Sequence, residues 1–375
     1  MRPPTIRDVA ARAGVSKSLV SLVLRGSGQV RAEKREAVLR AVRELGYRPN
    51  AAARALSETR APAEALAVGE TRAPAATRAV AERRDLPSAR PRPGARTGTP
   101  LVGVLLHDLR NPWYVDLVDG LNSVLHASGL HMLLADARLN RRVGQDPAGS
   151  FLDLGADGLV VVGTLPDPAA LDAVAARIPV VVAGAREPVP PGVDVVAGDD
   201  EQGARLATEH LLALGHRRIA HIAGYGAVGE LRRRSFEAAM RAHGAGTAVV
   251  EPSDMTEEGG HRAAVRLLAR ADRPTAVFAV NDIACVGALS AAEDLGLSVP
   301  GDLSVVGYDN TSTSRLRHLW LTTVDNAGHE VGRRAARCLL DRIEGGGGGA
   351  GRVRLAAPQL EIRGTTAPAA APLTG

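Results

Sequence analysis

Two strand ends in the second half of the chain carry polar groups suited to gripping a small ligand. Asn281-Asp282 closes one apolar run and Asp309 another, so an amide and two carboxyls fall at one sheet edge, ready to donate and accept hydrogen bonds. His107 ends the first apolar run of the body, and Trp113 and Tyr114 follow it within a few residues. The chain holds only 2 Trp, 4 Tyr and 3 Phe, so an adjacent aromatic pair there is notable: either its flat faces stack on a sugar or base, or it packs a helix onto the sheet. Gly224-Tyr225-Gly226-Ala227-Val228-Gly229 is a G-x-G-x-x-G after an apolar run, and Glu251 ends the next run 22 residues beyond its last glycine, the spacing of a dinucleotide site. Against that reading, the run is not first in its sheet region and Arg232-Arg233-Arg234 follow at once, so the glycines also fit a flexible cleft loop.

Catalytic chemistry finds little support. There is no H-E-x-x-H and no G-x-S-x-G, and neither Cys285 nor Cys338 has a base or a second metal-type ligand near it in sequence. The expectation is no catalytic residue, no metal and no cofactor, with both cysteines buried as small hydrophobes.

The elements that position these groups read as alternating strands and helices. Apolar runs at 101–107, 131–137, 158–163, 180–183, 218–224, 248–251, 276–281 and 303–308, with helical segments in most gaps, indicate a parallel-sheet α/β body. Ligands of such sheets collect beyond the C-terminal strand ends. No apolar run reaches membrane-spanning length and Met1-Arg2-Pro3-Pro4 opens without a secretory h-region, so a cytoplasmic protein with no membrane partner is expected.

A different unit precedes the body. Thr5 with Asp8 fits a capping box, Val9, Ala10 and Ala13 line one face, and Gly14 permits a sharp turn. Ser16 caps a second helix whose apolar side is Leu19, Val20, Val23 and Leu24, leaving Lys17, Ser18, Ser21 and Leu22 outward. A third helix over about 32–45 adds Val38, Val42 and Leu45 to the same small core. Charge separates this unit from an ordinary solvated bundle: residues 1–57 hold 12 Lys+Arg against 4 Asp+Glu, whereas residues 100–375 hold 26 against 32. A basic module on an acidic body is the electrostatic footprint of phosphate contact with double-stranded DNA.

These helices, Gly26-Ser27-Gly28, Leu45-Gly46-Tyr47-Arg48-Pro49-Asn50 and Ala53-Arg54-Ala55-Leu56 together resemble the lactose-repressor (LacI) family of bacterial transcription regulators. Asn111-Pro112-Trp113-Tyr114, Ala156-Asp157-Gly158, Leu214-Gly215-His216, Asn281-Asp282, Val306-Gly307-Tyr308-Asp309 and Leu321-Thr322-Thr323-Val324-Asp325 extend the likeness in the family's order. The resemblance implies an all-α helix-turn-helix domain joined to a two-lobed α/β domain like that of periplasmic binding proteins, with parallel sheets and a small polar effector between the lobes. It places DNA contacts at Thr5, Ser16, Lys17, Ser18, Ser21, Leu22, Arg25, Asn50, Ala53 and Leu56, and effector contacts at His107, Trp113, Tyr114, Arg232, Met255, Asn281, Asp282 and Asp309. Arg232 stands where the family has an arginine reaching a ligand hydroxyl or carboxylate, and Met255 where some relatives stack an aromatic. Leu22 replaces an arginine common in relatives, which removes a bidentate guanine contact worth about 1–3 kcal/mol and leaves a thymine methyl as its natural partner. Leu56 stands where the family wedges a leucine into a minor-groove step.

The expected divisions are a helix-turn-helix domain at 1–49, a hinge helix at 50–57, a Pro/Ala/Arg-rich linker at 58–99, a two-lobed domain at 100–366 and a disordered tail at 367–375. The linker repeats Glu-Thr-Arg-Ala-Pro-Ala at 58–63 and 70–75, and its composition suits either a flexible spacer or a helix over about 63–85. One recognition helix covers few base pairs, so a homodimer on a palindromic operator is expected, and the tail lacks the heptads of a tetramerising coiled coil. The reading is a ligand-responsive repressor; the alternatives are a solute-binding protein without a DNA role and a nucleotide-dependent enzyme using Gly224–Gly229.

Overall fold

The computed structural model describes residues 5–24, 30–45, 100–142, 144, 146–163, 168–346 and 349–370. Arg25, Asn50, Ala53, Leu56, the expected hinge helix and the linker with its 63–85 segment lie outside the described residues. The N-terminal helices and the α/β body fall into separate compact units.

The N-terminal unit contains α1 (Ile6–Ala13), α2 (Lys17–Leu24) and α3 (Ala32–Leu45). Gly14 ends α1 in the left-handed conformation (φ 62°), which a glycine adopts at no steric cost. The backbone N–H of Leu19 donates to Ser16 Oγ, so Ser16 caps α2 as expected. The expected capping box is present, the Thr5 side chain facing the Asp8 backbone N–H and the Asp8 carboxylate accepting from the Thr5 backbone N–H at 2.7 Å. Val9, Ala10, Val20, Val23, Val38 and Ala41 form the buried centre, with Leu19, Val42 and Leu45 packed around it.

The body is built from two six-stranded sheets. In the first, order β11-β5-β4-β3-β1-β2, lie β1 (Leu101–Leu106), β2 (His131–Asp136), β3 (Gly158–Val162), β4 (Val180–Ala183), β5 (Asp194–Gly198) and β11 (Val353–Ala356). The second, order β12-β10-β9-β8-β6-β7, holds β6 (Ile219–Ala223), β7 (Val249–Pro252), β8 (Ala276–Ala279), β9 (Ser304–Tyr308), β10 (Thr322–Asp325) and β12 (Gln359–Glu361). All pairings are parallel except β10 with β12. Between the strands run α4 (Trp113–Ala127), α5 (Ala137–Arg142), α6 (Pro147–Asp153), α7 (Pro168–Ala175), α8 (Asp200–Ala213), α9 (Gly226–Ala242), α10 (Glu257–Leu268), α11 (Asp282–Asp294) and α12 (Gly328–Asp341). Central strands such as Gly158-Leu-Val-Val-Val are buried throughout, which is why they read as unbroken apolar runs. The edge strand β2 differs, with Leu133 and Leu134 38% and 44% exposed.

The chain passes between the lobes after β5, after β10 and after β11, so α12 and β11 return to the first lobe. The strands at 194–198, 322–325, 353–356 and 359–361 were not legible in the sequence: β11 and β12 lie at sheet edges, while β5 and β10 are internal but carry polar residues such as Asp194, Thr322 and Asp325 that break the apolar run. In the first lobe α12 crosses α4 where Gly120 meets the His329 carbonyl and Gly332 meets the Leu117 carbonyl. The expected disordered tail begins too early. Residues 367–370 are described, the Ala367 N–H donates to Ser304 Oγ, and the Ala369 N–H donates to the Leu214 carbonyl, so the chain beyond β12 is strapped to the second lobe. Residues 371–375 lie outside the described residues.

Candidate functional site

A cavity of about 320 Å³ opens between the lobes at the C-terminal ends of both sheets, where parallel strands direct their ligands. Its floor on the first lobe is made by three glycines at neighbouring strand ends. A Cβ on Gly163 would lie 2.5 Å from Tyr114 Oη, on Gly184 it would lie 2.2 Å from the Trp113 ring, and on Gly198 it would lie 2.8 Å from the Asn326 carbonyl. Side-chain-free strand ends thus let α4 lay its two aromatic residues down as a carpet, edge to face with ring centres 5.2 Å apart. The alternatives left open for the pair merge here, since the rings pack the helix onto the sheet and also face the cavity.

The second lobe contributes a buried ionic knot. Arg232 lies on α9, while Asp200 opens α8 just after the first crossing. The guanidinium donates from Nε to Asp200 at 2.9 Å and from Nη1 to the Val280 carbonyl at 2.5 Å, and it sits 3.6 Å over the Tyr308 ring. A 3.8 Å approach links it to Asp309. Asn326, at the second crossing, accepts from Trp113 Nε1 at 2.7 Å and donates to Asp309 at 2.9 Å. A chain of hydrogen bonds closed by one 3.8 Å ion pair therefore runs from Trp113 through Asn326 and Asp309 to Arg232 and Asp200, touching both lobes and two of the crossings.

Burial pushes the Asp309 carboxyl up to about 8, against the pull of Arg232 and with further push from Asp282. Burial likewise moves Asp282 up to about 6, opposed by its bonds from Thr323 and Thr311. Asp309 keeps its proton in the folded chain at pH values where the unfolded chain has lost it, so this group's contribution is fully favourable below about 4 and is lost as pH rises toward 8. Asp309→Asn removes that titration. The melting temperature of the variant minus that of the native protein should climb between pH 5 and pH 8.5; a difference that stays flat across that range contradicts the shift.

Several expected ligand residues take other roles. Asp282 does not line the cavity: it is buried and accepts from the Thr311 N–H and hydroxyl and from the Thr323 hydroxyl, tying α11 to the ends of β9 and β10. Asn281 lines the cavity, but its amide caps α11 through the Ala284 N–H and donates to the Met255 carbonyl. Arg232 reaches the cavity wall with its donors turned onto the protein. Met255, in the left-handed region (φ 64°), lays its side chain on Gly224, where a Cβ would lie 2.4 Å from the thioether methyl. That contact, and the closeness of Gly229 to the Gly224 backbone, give the G-x-G-x-x-G a packing role. His107, Trp113, Tyr114 and Asp309 line the cavity.

Asp108, Arg110, Asn111, Asp200, Tyr225, Asp254, Glu257 and Asn326 also line it and were missed. Asn111 lies inside the Asn111–Tyr114 segment, Asn326 follows Leu321–Asp325 and Asp200 follows the unrecognised strand β5, so position beside these segments was the available signal. At the rim, Asp108 is forked by Arg110 and approached by Arg138 at 3.2 Å; burial opposes ionisation, but these cations hold its carboxyl down at about 2.

In the N-terminal unit Ser16, Lys17 and Ser18 are exposed and Ser21 is half-buried. Thr5 spends its hydroxyl on Asp8. Leu22 departs from the outward placement expected of it: it is half-buried and packs against the three-helix core, since α2 is only two turns long and its apolar residues wrap beyond one stripe.

Residues 5–50 match the model described as bacterial regulatory proteins, lacI family, and residues 208–366 that described as periplasmic binding protein-like domain. HTH-type transcriptional repressor PurR of Erwinia tasmaniensis is 31% identical over 347 residues, covering 90% of this chain and 90% of the relative. HTH-type transcriptional regulator CelR of Thermobifida fusca is 35% identical over 358 residues, covering 92% of this chain and 93% of the relative. The solved structure of a CelR–cellobiose complex is 30% identical, covers 96% of this chain and 99% of its own, and superposes with a TM-score of 0.64. With a three-helix module ahead of a cleft between two parallel-sheet lobes, and relatives matched along nearly its whole length, the chain belongs to the lacI family of bacterial transcription regulators.

Proposed function

We propose that this regulator is a repressor acting as a homodimer on a palindromic operator, and that a small sugar-like effector seated between its lobes sets its hold on DNA. The inter-lobe cavity carries this reading: it joins an aromatic floor from one lobe to a polar wall from the other, the arrangement that lets a ligand bias one lobe against its partner. A relative seen with cellobiose supports a sugar. The exposed Leu133 and Leu134 on edge strand β2, with exposed Leu139 beyond it, support a second copy as partner. Ser16, Lys17, Ser18 and Ser21 would meet the major groove, while Thr5 and the half-buried Leu22 would contribute at its margin. The protein works by binding rather than catalysis, in the cytoplasm; no described helix is long and apolar enough to cross a membrane.

Selection from a pool of random duplexes tests the operator reading. An inverted repeat should be enriched, and Lys17→Ala should weaken binding to it and lower the slope of log affinity against log salt by about 1. Enrichment of no duplex over random competitor, or an unchanged slope, counts against it.

A further inference from the structure

The chain has almost no lysine. Of its 46 Lys+Arg residues only Lys17 and Lys34 are lysines, and both fall in the basic N-terminal module; every such cation from residue 35 to 375 is arginine. The difference is chemical as well as electrostatic. A guanidinium keeps its proton and is a poor nucleophile, whereas an ammonium can shed a proton and attack an activated acyl group. Apart from the amino terminus, Lys17 and Lys34 are the only primary amines in the 375 residues. Lys17 is the more consequential of the two. It opens α2, the helix assigned above to the major groove, and it is the one charged residue in Lys-Ser-Leu-Val-Ser-Leu-Val-Leu. Val20 and Val23 go into the core, while Ser16, Lys17 and Ser18 stay exposed. Lys17 makes no ion pair among the described residues, unlike Arg12 of α1, which Glu44 holds at 2.8 Å. The first turn of α2 carries no carboxylate.

We propose that Lys17 is a modification site through which the regulator is released from DNA: an activated acyl donor, an acyl phosphate or an acyl thioester, transfers its acyl group to Lys17 Nζ, independently of the effector cleft. The proposal rests on α2 being the helix that reads the operator. In the transfer the neutral amine attacks the acyl carbon and an N–C bond forms. The bond from that carbon to the phosphate oxygen or thiol sulfur breaks, the phosphate or thiolate leaves with the electron pair, and the proton lost by nitrogen passes to water. The product is a neutral amide. The recognition helix then carries no formal charge, so the phosphate attraction and counterion release that Lys17 supplied are lost. An arginine at this place would bind phosphate equally well as a charge and could not be switched in this way. Lys34, in the first turn of α3 and exposed, is the internal comparison.

The test treats the full chain with acetyl phosphate or, separately, with acetyl-coenzyme A, and reads Lys17 and Lys34 by peptide mass spectrometry. Affinity is then measured by fluorescence anisotropy on the operator duplex recovered by selection. Saturating operator present during the treatment should protect Lys17 and leave Lys34 open. The chain acetylated at Lys17 should bind its operator roughly tenfold more weakly, with the salt slope lowered as much as by Lys17→Ala. Each variant is compared with itself before treatment: Lys17→Arg should keep its affinity, and Lys34→Arg should lose affinity as the native chain does. The donor that modifies Lys17 identifies the source of the acyl group. Full acetylation of Lys17 with affinity unchanged overturns the proposal, as does an equal loss in Lys17→Arg, or failure of both donors to reach Lys17; each of these leaves the operator reading standing. Enrichment of no duplex in the selection overturns that reading, and this inference with it.

Discussion

Arg232→Ala should cost the folded chain about 3–5 kcal/mol, because it strips the counter-charge from Asp200 and Asp309 while leaving both buried. Asp200 and Arg232 have side chains only 5% exposed, so water cannot take over the lost bonds. Burial already pushes Asp200 above the usual carboxylate range despite the guanidinium beside it, and removing that cation would drive it to protonate. The Val280 carbonyl loses its donor as well. Lysine should rescue little, since an ammonium cannot bond Asp200 through two nitrogens while also reaching Val280. Arg232→Met with Asp200→Asn should recover much of the loss by replacing the ions with neutral groups. Urea denaturation measures each variant, and a loss under about 1 kcal/mol for Arg232→Ala would show that the knot contributes no net stability.

The second large effect is steric. A methyl at Gly120 would stand 2.0 Å from the His329 carbonyl oxygen, and one at Gly332 would stand 2.1 Å from that of Leu117. Both obstacles are backbone, so no rotamer change relieves them, and the helices must separate at their crossing. Gly120→Ala and Gly332→Ala should each destabilise by about 3 kcal/mol, the upper range of overpacking. Combined they should cost less than the sum, because one separation serves both methyls. Gly349→Ala, with open space around its Cβ, is the matching control and should be near neutral. Melting curves of all four variants check this; parity of Gly120→Ala with the control would mean the crossing has slack.

Much of this was legible from sequence, for reasons that differ by region. Gly14 and Ser16 announced the turn and second helix because a left-handed residue and a side-chain cap are local requirements. The buried strands β3, β4 and β9 announced themselves as apolar runs. The cleft's position followed from parallel strand ends, and Trp113, Tyr114 and Asp309 were found there. What escaped was decided by partners distant in sequence. Asp282 looked like a ligand group until Thr311 and Thr323, 29 and 41 residues away, were seen to consume its oxygens. Asn326 and Asp200 carry no motif of their own and gain their roles only when the crossings bring Trp113, Asp309 and Arg232 together. Leu22 misled because its helix is too short for a clean apolar stripe.

The order in which the chain visits its lobes constrains how it can be made. The first lobe's sheet lacks its last edge strand, and α4 lacks its covering helix, until residues 328–356 exist, by which time nearly all of the second lobe has been synthesised. The second lobe then waits for β12 and the segment bonded to His216 and Ser304. Both lobes are therefore completed late, within a few residues of each other. Truncation between residues 328 and 356 should leave both lobes unfinished at once, exposing apolar surface to chaperones and proteases instead of releasing one folded half.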